Sequence, residues 1–191
     1  MIAEQILRRF EVLHRMDLIY RDVSPRNFML GIGRNQNIIH LVDVGLAQDY
    51  ELASGQYDGG LGSLVGTAGY TGINGHCGRA RCPRDDLQSL GYMLVYFLKG
   101  KLPWQDLRIE PGHEKNDLIL QMKQTTSIDE LCQGLPNGLR RYQEIACSLS
   151  DAERPDYRAV RQLFKTIVKD EKLAWDELFD WTERIRVKDA V

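Results

Sequence analysis

From residue 86 to residue 98 the chain reads Asp-Leu-Gln-Ser-Leu-Gly-Tyr-Met-Leu-Val-Tyr-Phe-Leu, apolar on nearly every side of a helix. A helix without a polar face has to lie inside the protein. This one falls short of the roughly 20 residues needed to cross a bilayer, and Gln88, Ser89 and Gly91 interrupt it. A buried helix at the centre of one domain is therefore expected, ended by Lys99 and Gly100.

Amphipathic segments are expected to surround it. Residues 2–16 place Ile2, Ile6, Phe10 and Leu13 on one helical stripe. Leu135, Leu139, Tyr142, Ala146 and Leu149 keep the same period, with Pro136 suited to a first turn. Tyr157, Val160, Leu163, Phe164, Ile167 and Val168 form the cleanest stripe, entered through Arg154-Pro155-Asp156. The short apolar runs 28–30 and 38–42, separated by a glycine- and asparagine-containing stretch at 31–37, read as a β-hairpin. Residues 43–83 are rich in Gly, Ser, Thr and Asp without a sustained period, a length of irregular chain that usually serves function. The expected fold class is mainly α with one small β-hairpin, in a single domain of 191 residues.

Several functional classes are disfavoured. A formal net charge of -2 lacks the basic excess of a nucleic-acid binder. Four cysteines without a CxxC pair or zinc-ligand spacing fit reduced thiols better than disulfides. No basic segment leads into an apolar stretch at the start, so no secretory signal is read and no membrane partner is expected.

The chemistry concentrates in Tyr20-Arg21-Asp22-Val23-Ser24-Pro25-Arg26-Asn27, then the hairpin, then Asp43-Val44-Gly45. Phosphoryl transfer from ATP needs a carboxylate to orient the attacking hydroxyl and oxygen ligands to hold Mg²⁺. Asp22 suits the first task, Asn27 and Asp43 the second, and a hairpin between them would return both ends to one mouth. An Asp-x₄-Asn pair alone is weak evidence, because both residue types crowd turns. The ordered series of helix, YRDVSPRN, hairpin, DVG, glycine-rich segment and apolar helix is what gives it weight.

That series resembles the protein kinases, and within them the casein kinase I family. Gly66-Thr67-Ala68-Gly69-Tyr70 is similar to the family's GTARY, Gly72-Ile73-Asn74 to its SIN, 84–92 to RDDLESLGY, and Leu102-Pro103-Trp104-Gln105 to LPWQ. Pro155-Asp156-Tyr157, 161–164 and Phe179-Asp180-Trp181 also match in place. The resemblance implies a Ser/Thr kinase using ATP and Mg²⁺. It makes Asp22 the catalytic base, Asn27 and Asp43 the metal ligands, and Thr67 a residue that positions the base. Leu30 then lies near the nucleotide, and Asp86 with Arg21 supports the catalytic loop. The implied segments are a helix at 1–16, the catalytic loop, hairpin and DVG at 17–45, an activation segment at 46–82, and a helical subdomain at 83–191.

The sequence also departs from the family. Ser24 stands where the family has a lysine, and Arg26 is expected to supply that charge. Val44 replaces a phenylalanine, and Gly69 replaces an arginine of a substrate-anion pocket, at which Lys123 is expected to remain. No Gly-rich loop or strand lysine precedes Met1, and Gly31-Ile32-Gly33 reads as a turn within the hairpin. The expectation is a C-terminal kinase lobe with its N-terminal lobe absent, inactive by itself. Expected partners are protein substrates, acidic or phosphorylated, and a second copy or another protein covering the exposed lobe-facing surface near Leu30 and Val42. The expected location is cytoplasmic or nuclear. An inert kinase-derived binding module is the alternative.

Overall fold

The computed structural model describes residues 1–50, 64–79, 81–107, 114–179 and 181–182. Helix α1 (Ile2–Arg15) opens the chain and buries Ile6, Leu7, Phe10 and His14. Helix α3 (Pro83–Lys99) is the core of the fold, with every residue from Asp85 to Val95 buried. It packs against α1, against α6 (Asn137–Ser148) and against the short α2 (Ile73–His76). Helix α7 (Tyr157–Asp170) closes the far side against α1 and α6.

The start of α3 is built by local chemistry. Pro83 sits in the first turn, and Cys82 and Asp85 form a reciprocal cap, with the amide of Cys82 donating to Asp85 Oδ2 at 2.9 Å. Gly100, at φ 77°, ends the helix in the left-handed conformation that glycine adopts without a Cβ penalty. The helix thus starts three residues before the apolar run. Its last turn is not central: Phe97 and Leu98 are exposed.

Helix α6 is stitched to α3 by the Tyr142 hydroxyl, which donates to the carbonyl of Leu87 at 2.8 Å. Pro136 takes the cap position rather than the first turn. Asp156 caps α7 by accepting the amide of Ala159 at 2.9 Å. Helix α4 (Lys115–Thr125) and the one-turn α5 (Ile128–Leu131) were not expected from the sequence. Only Ile119 and Lys123 of α4 are buried, so its apolar stripe is too thin to give a periodic signal.

The expected hairpin is present as β2 (Phe28–Leu30) and β3 (Ile39–Leu41), with Phe28 opposite Leu41 and Leu30 opposite Ile39. A second two-stranded sheet was unforeseen: β1 (Leu18–Ile19) pairs with β4 (Gln48–Asp49), two residues each and too short to announce themselves. The irregular stretch therefore begins with a strand, and α2 lies within it; residues 51–63 of the expected activation segment lie outside the described residues. All four cysteines are free. Among the described residues, no helix is long and apolar enough to cross a membrane.

Candidate active site

The site gathers where α1, the loop after β1 and the hairpin meet. A one-turn 3-10 helix, Pro25–Asn27, follows Asp22 and folds Asn27 back beneath it. Asn27 Nδ2 donates both to the carbonyl of Asp22 and to its Oδ2, each at 2.8 Å. Thr67 Oγ1 donates to the other carboxylate oxygen at 2.8 Å, and Arg26 Nη2 reaches Oδ2 at 3.2 Å from a largely exposed side chain.

Burial pushes the Asp22 carboxyl up, but the hydrogen bonds from Thr67, Asn27 and Arg26 outweigh it and hold it below its ordinary value. The carboxylate is thus ionised at neutral pH and fixed in orientation.

The hairpin brings in Asp43. The ladder continues past β3, with the amide of Val42 donating to the carbonyl of Asn27 at 3.0 Å, so Asp43 follows directly on the residue paired with Asn27. Asp43 is exposed and lies at φ 57°, its Oδ1 accepting the amide of Gly45 at 3.3 Å. Arg21 is also left-handed, at φ 69°. Two non-glycine residues in that region on either side of one mouth mark a backbone constrained by its surroundings.

Behind the loop stands Asp86, almost fully buried. Its Oδ2 accepts the amide of Tyr20 and His14 Nε2, both at 2.8 Å, and its Oδ1 accepts the amide of Arg21 at 2.9 Å. The carboxylate only accepts, so His14 Nε2 is the donor and His14 Nδ1 takes the hydroxyl of Tyr157. Sequence reasoning missed His14 and Tyr157. A histidine inside an amphipathic helix and a tyrosine at a helix start carry no signal of a partner 143 residues away. Arg21 donates to the carbonyl of Leu46 at 2.6 Å and to Gln48, tying β4 to the loop.

The backbone also comes close at Gly66, at φ +90°, where a Cβ would stand 2.4 Å from the carbonyl oxygen of Arg21 and 3.4 Å from Asp22 Oδ1. Gly66→Ala is expected to destabilise the fold by about 1–3 kcal/mol and to displace Asp22 from Thr67. A thermal melt checks the first effect and the Thr67 hydroxyl resonance the second.

Lys123 and Ser24 are both buried. Lys123, expected at a substrate-anion pocket, points into the fold. It is buried, and its Nζ is bonded to the carbonyls of Ala68 and Thr71 and to His76 Nε2, at 2.7, 2.6 and 3.1 Å, with the rings of Tyr92 and Trp104 about it. Burial drives its pKa down, and its Nζ hydrogens are directed to partners inside the fold. Ser24 is also buried, its Oγ without a hydrogen-bond partner, and supplies no charge. Leu30 is partly exposed at the end of β2.

Desolvation, reinforced by Lys123, pushes His76 down to about 4 from 6.5. Between those values the unfolded chain binds the proton that the folded chain refuses, so stability contributed by neutral His76 is lost as pH falls through that window. Urea midpoints at neutral pH and at about pH 4 are expected to differ less in His76→Gln than in the parent.

A family model described as protein kinase domain matches residues 1–169. The chain belongs to the protein kinase domain family. Kinases of this family use ATP with Mg²⁺, and the donor set fits that pair. Mg²⁺ prefers a few hard oxygens completed by phosphate and water. Asp43 offers an exposed carboxylate, and Asn27, both amide protons spent on Asp22, offers a carboxamide oxygen that accepts no hydrogen bond among the described residues. Among those residues there is no group of three or more His, Cys, Asp or Glu that would form an all-protein metal cage. A kinase metal held between two side chains and the nucleotide does not require one.

Proposed function

We propose that this chain is the C-terminal lobe of a serine/threonine kinase of casein kinase I type, which transfers the γ-phosphoryl group of ATP to protein hydroxyls once an N-terminal lobe completes the nucleotide site. The observation that carries the reading is the Asp22 carboxylate, ionised and held by Thr67, Asn27 and Arg26. An ionised, oriented carboxylate aligns a substrate hydroxyl and takes its proton as the bond to phosphorus forms. Asn27 and Asp43 hold Mg²⁺, which neutralises charge on the ATP phosphates. With Ser24 buried and uncharged, the exposed guanidinium of Arg26 is the cation beside the reacting group.

The lobe assignment draws support from the apolar surface around the hairpin. Met29, Leu30 and Ile32 on the hairpin and Val44 and Leu46 after Asp43 are all exposed. Exposed apolar side chains near a polar site suit a surface that another body covers, and Leu30 is the residue assigned to the adenine side in this reading. Self-association of the lobe through the same surface is part of this reading. Internal use of Lys123 removes the cation that would favour phosphorylated substrates, so acidic or unmodified protein substrates are the proposed class.

A second reading, an inert binding module, is favoured by one pair of observations: Ser24 carries no charge, and Lys123 is consumed inside the fold. The two readings separate in a single experiment. The 191-residue chain is mixed with the N-terminal lobe of a casein-kinase-I-type enzyme, ATP and Mg²⁺, and phosphate incorporation into a serine peptide is followed. Transfer that Asp43→Ala removes supports the kinase; no transfer and no nucleotide binding by the mixed lobes leaves the inert module.

A further inference from the structure

Behind the catalytic loop, α1 and the turn into α7 enclose an open pocket of about 300 Å³. Its walls carry three guanidinium groups, Arg15, Arg154 and Arg158, against two carboxylates, Glu11 and Asp156. Glu11 is paired with Arg15 and Arg161, and Asp156 accepts the amide of Ala159 through one oxygen. The guanidinium groups keep donors in reserve. Arg15 bonds Glu11 at 2.6 Å, Arg154 bonds the carbonyl of His14 at 2.6 Å and Asp17, and Arg158 is exposed with no ion pair among the described residues. The three guanidinium-bearing residues come from α1, from the loop before α7 and from α7 itself. That arrangement suits a tetrahedral oxyanion better than a planar carboxylate.

Part of the pocket wall is the buried pair Tyr157 and His14. The far nitrogen of His14 holds Asp86, which holds the amides of Tyr20 and Arg21 immediately before Asp22. We propose that this pocket is an effector site for a phosphoryl group, and that its occupancy is read at the catalytic loop through Tyr157, His14 and Asp86. The side chain proposed to move is Arg154. A bound oxyanion draws it from the His14 carbonyl and from Asp17, whose own carbonyl accepts the amide of Tyr50, and the relay shifts with it.

Free phosphate and a phosphoserine side chain present the same chemistry, and the test separates them. Isotope-labelled chain is titrated at constant ionic strength with sodium phosphate and, separately, with a short phosphoserine peptide. Saturable shifts are expected at His14, Arg154 and Arg158, with the amides of Tyr20 and Arg21 moving in step. Tighter saturation by the peptide assigns a protein-borne phosphate; saturation by phosphate with no gain from the peptide assigns the free anion. Arg158→Glu and Arg15→Glu, both surface changes, are each expected to weaken binding at least about tenfold. Tyr157→Phe is expected to keep saturation while freeing Tyr20 and Arg21 from it. Shifts that do not saturate, affinity unchanged in both charge reversals, or loop amides that stay fixed at saturation would overturn the proposal. None of these readouts needs phosphoryl transfer, so the result stands apart from the kinase reading.

Discussion

Asp22→Asn is expected to lower phosphoryl transfer by roughly 10²–10⁴-fold, the range associated with losing a positioned general base. The fold is expected to survive. Thr67 donates to one carboxylate oxygen, and Asn27 and Arg26 converge on the other. An asparagine that turns its amide toward Thr67 keeps its carbonyl for Asn27 and Arg26, and the Thr67 hydroxyl rotates to accept. Steady-state transfer by the reconstituted lobes, with a melting curve on the same samples, checks both halves. A variant that unfolds, or one that keeps its turnover, contradicts this account of Asp22.

Asp86→Ala is expected to cost more stability than any other single change in the site. Its carboxylate satisfies two backbone amides and a histidine in a region closed to water. Removing it orphans three donors at once. Breaking a buried charged partnership costs about 3–5 kcal/mol, and in a chain of this size each kcal/mol lowers the midpoint by about 2–4 °C. A fall of roughly 10 °C or more is the expected thermal result. Asp86→Asn should fall between the parent and alanine, because one oxygen remains to accept the amide of Tyr20 or of Arg21. Differential scanning fluorimetry of the three proteins tests the order.

Both predictions concern residues that were legible in the sequence. Asp22, Asn27 and Asp43 stood out as candidates because phosphoryl transfer calls for those residue types, and a hairpin was legible between Asn27 and Asp43, though its register was not. Asp86 and Thr67 entered only by resemblance to a family. The geometry then supplied what resemblance lacks: which oxygen each donor meets, and how far away. Arg26 shows the difference well. Its offset from Asp22 was visible in the chain, whereas its exposure and its 3.2 Å approach to Oδ2 came from the fold.

The surroundings of Lys123 were not legible in the sequence. A lysine on a weakly patterned helix is normally solvated, and here it is buried, bonded to two carbonyls and one imidazole among aromatic rings. No local pattern foretells that, because the groups that receive it lie 47 to 55 residues away in the chain.

By itself the sequence determined the hydrophobic periods, and through them the central helix α3, the helices α1, α6 and α7, the hairpin, and the residue types able to handle a phosphoryl group. Those properties are local, since helix and strand periods are written within a few turns of chain. Tertiary structure alone decided the relay from Tyr157 through His14 to Asp86, the internal use of Lys123 and the pairing of β1 with β4. Each of these rests on a buried polar group finding its partner across a long stretch of chain. Burial makes an unmet hydrogen bond expensive enough to select the partner, but only the closed fold establishes which groups are buried together.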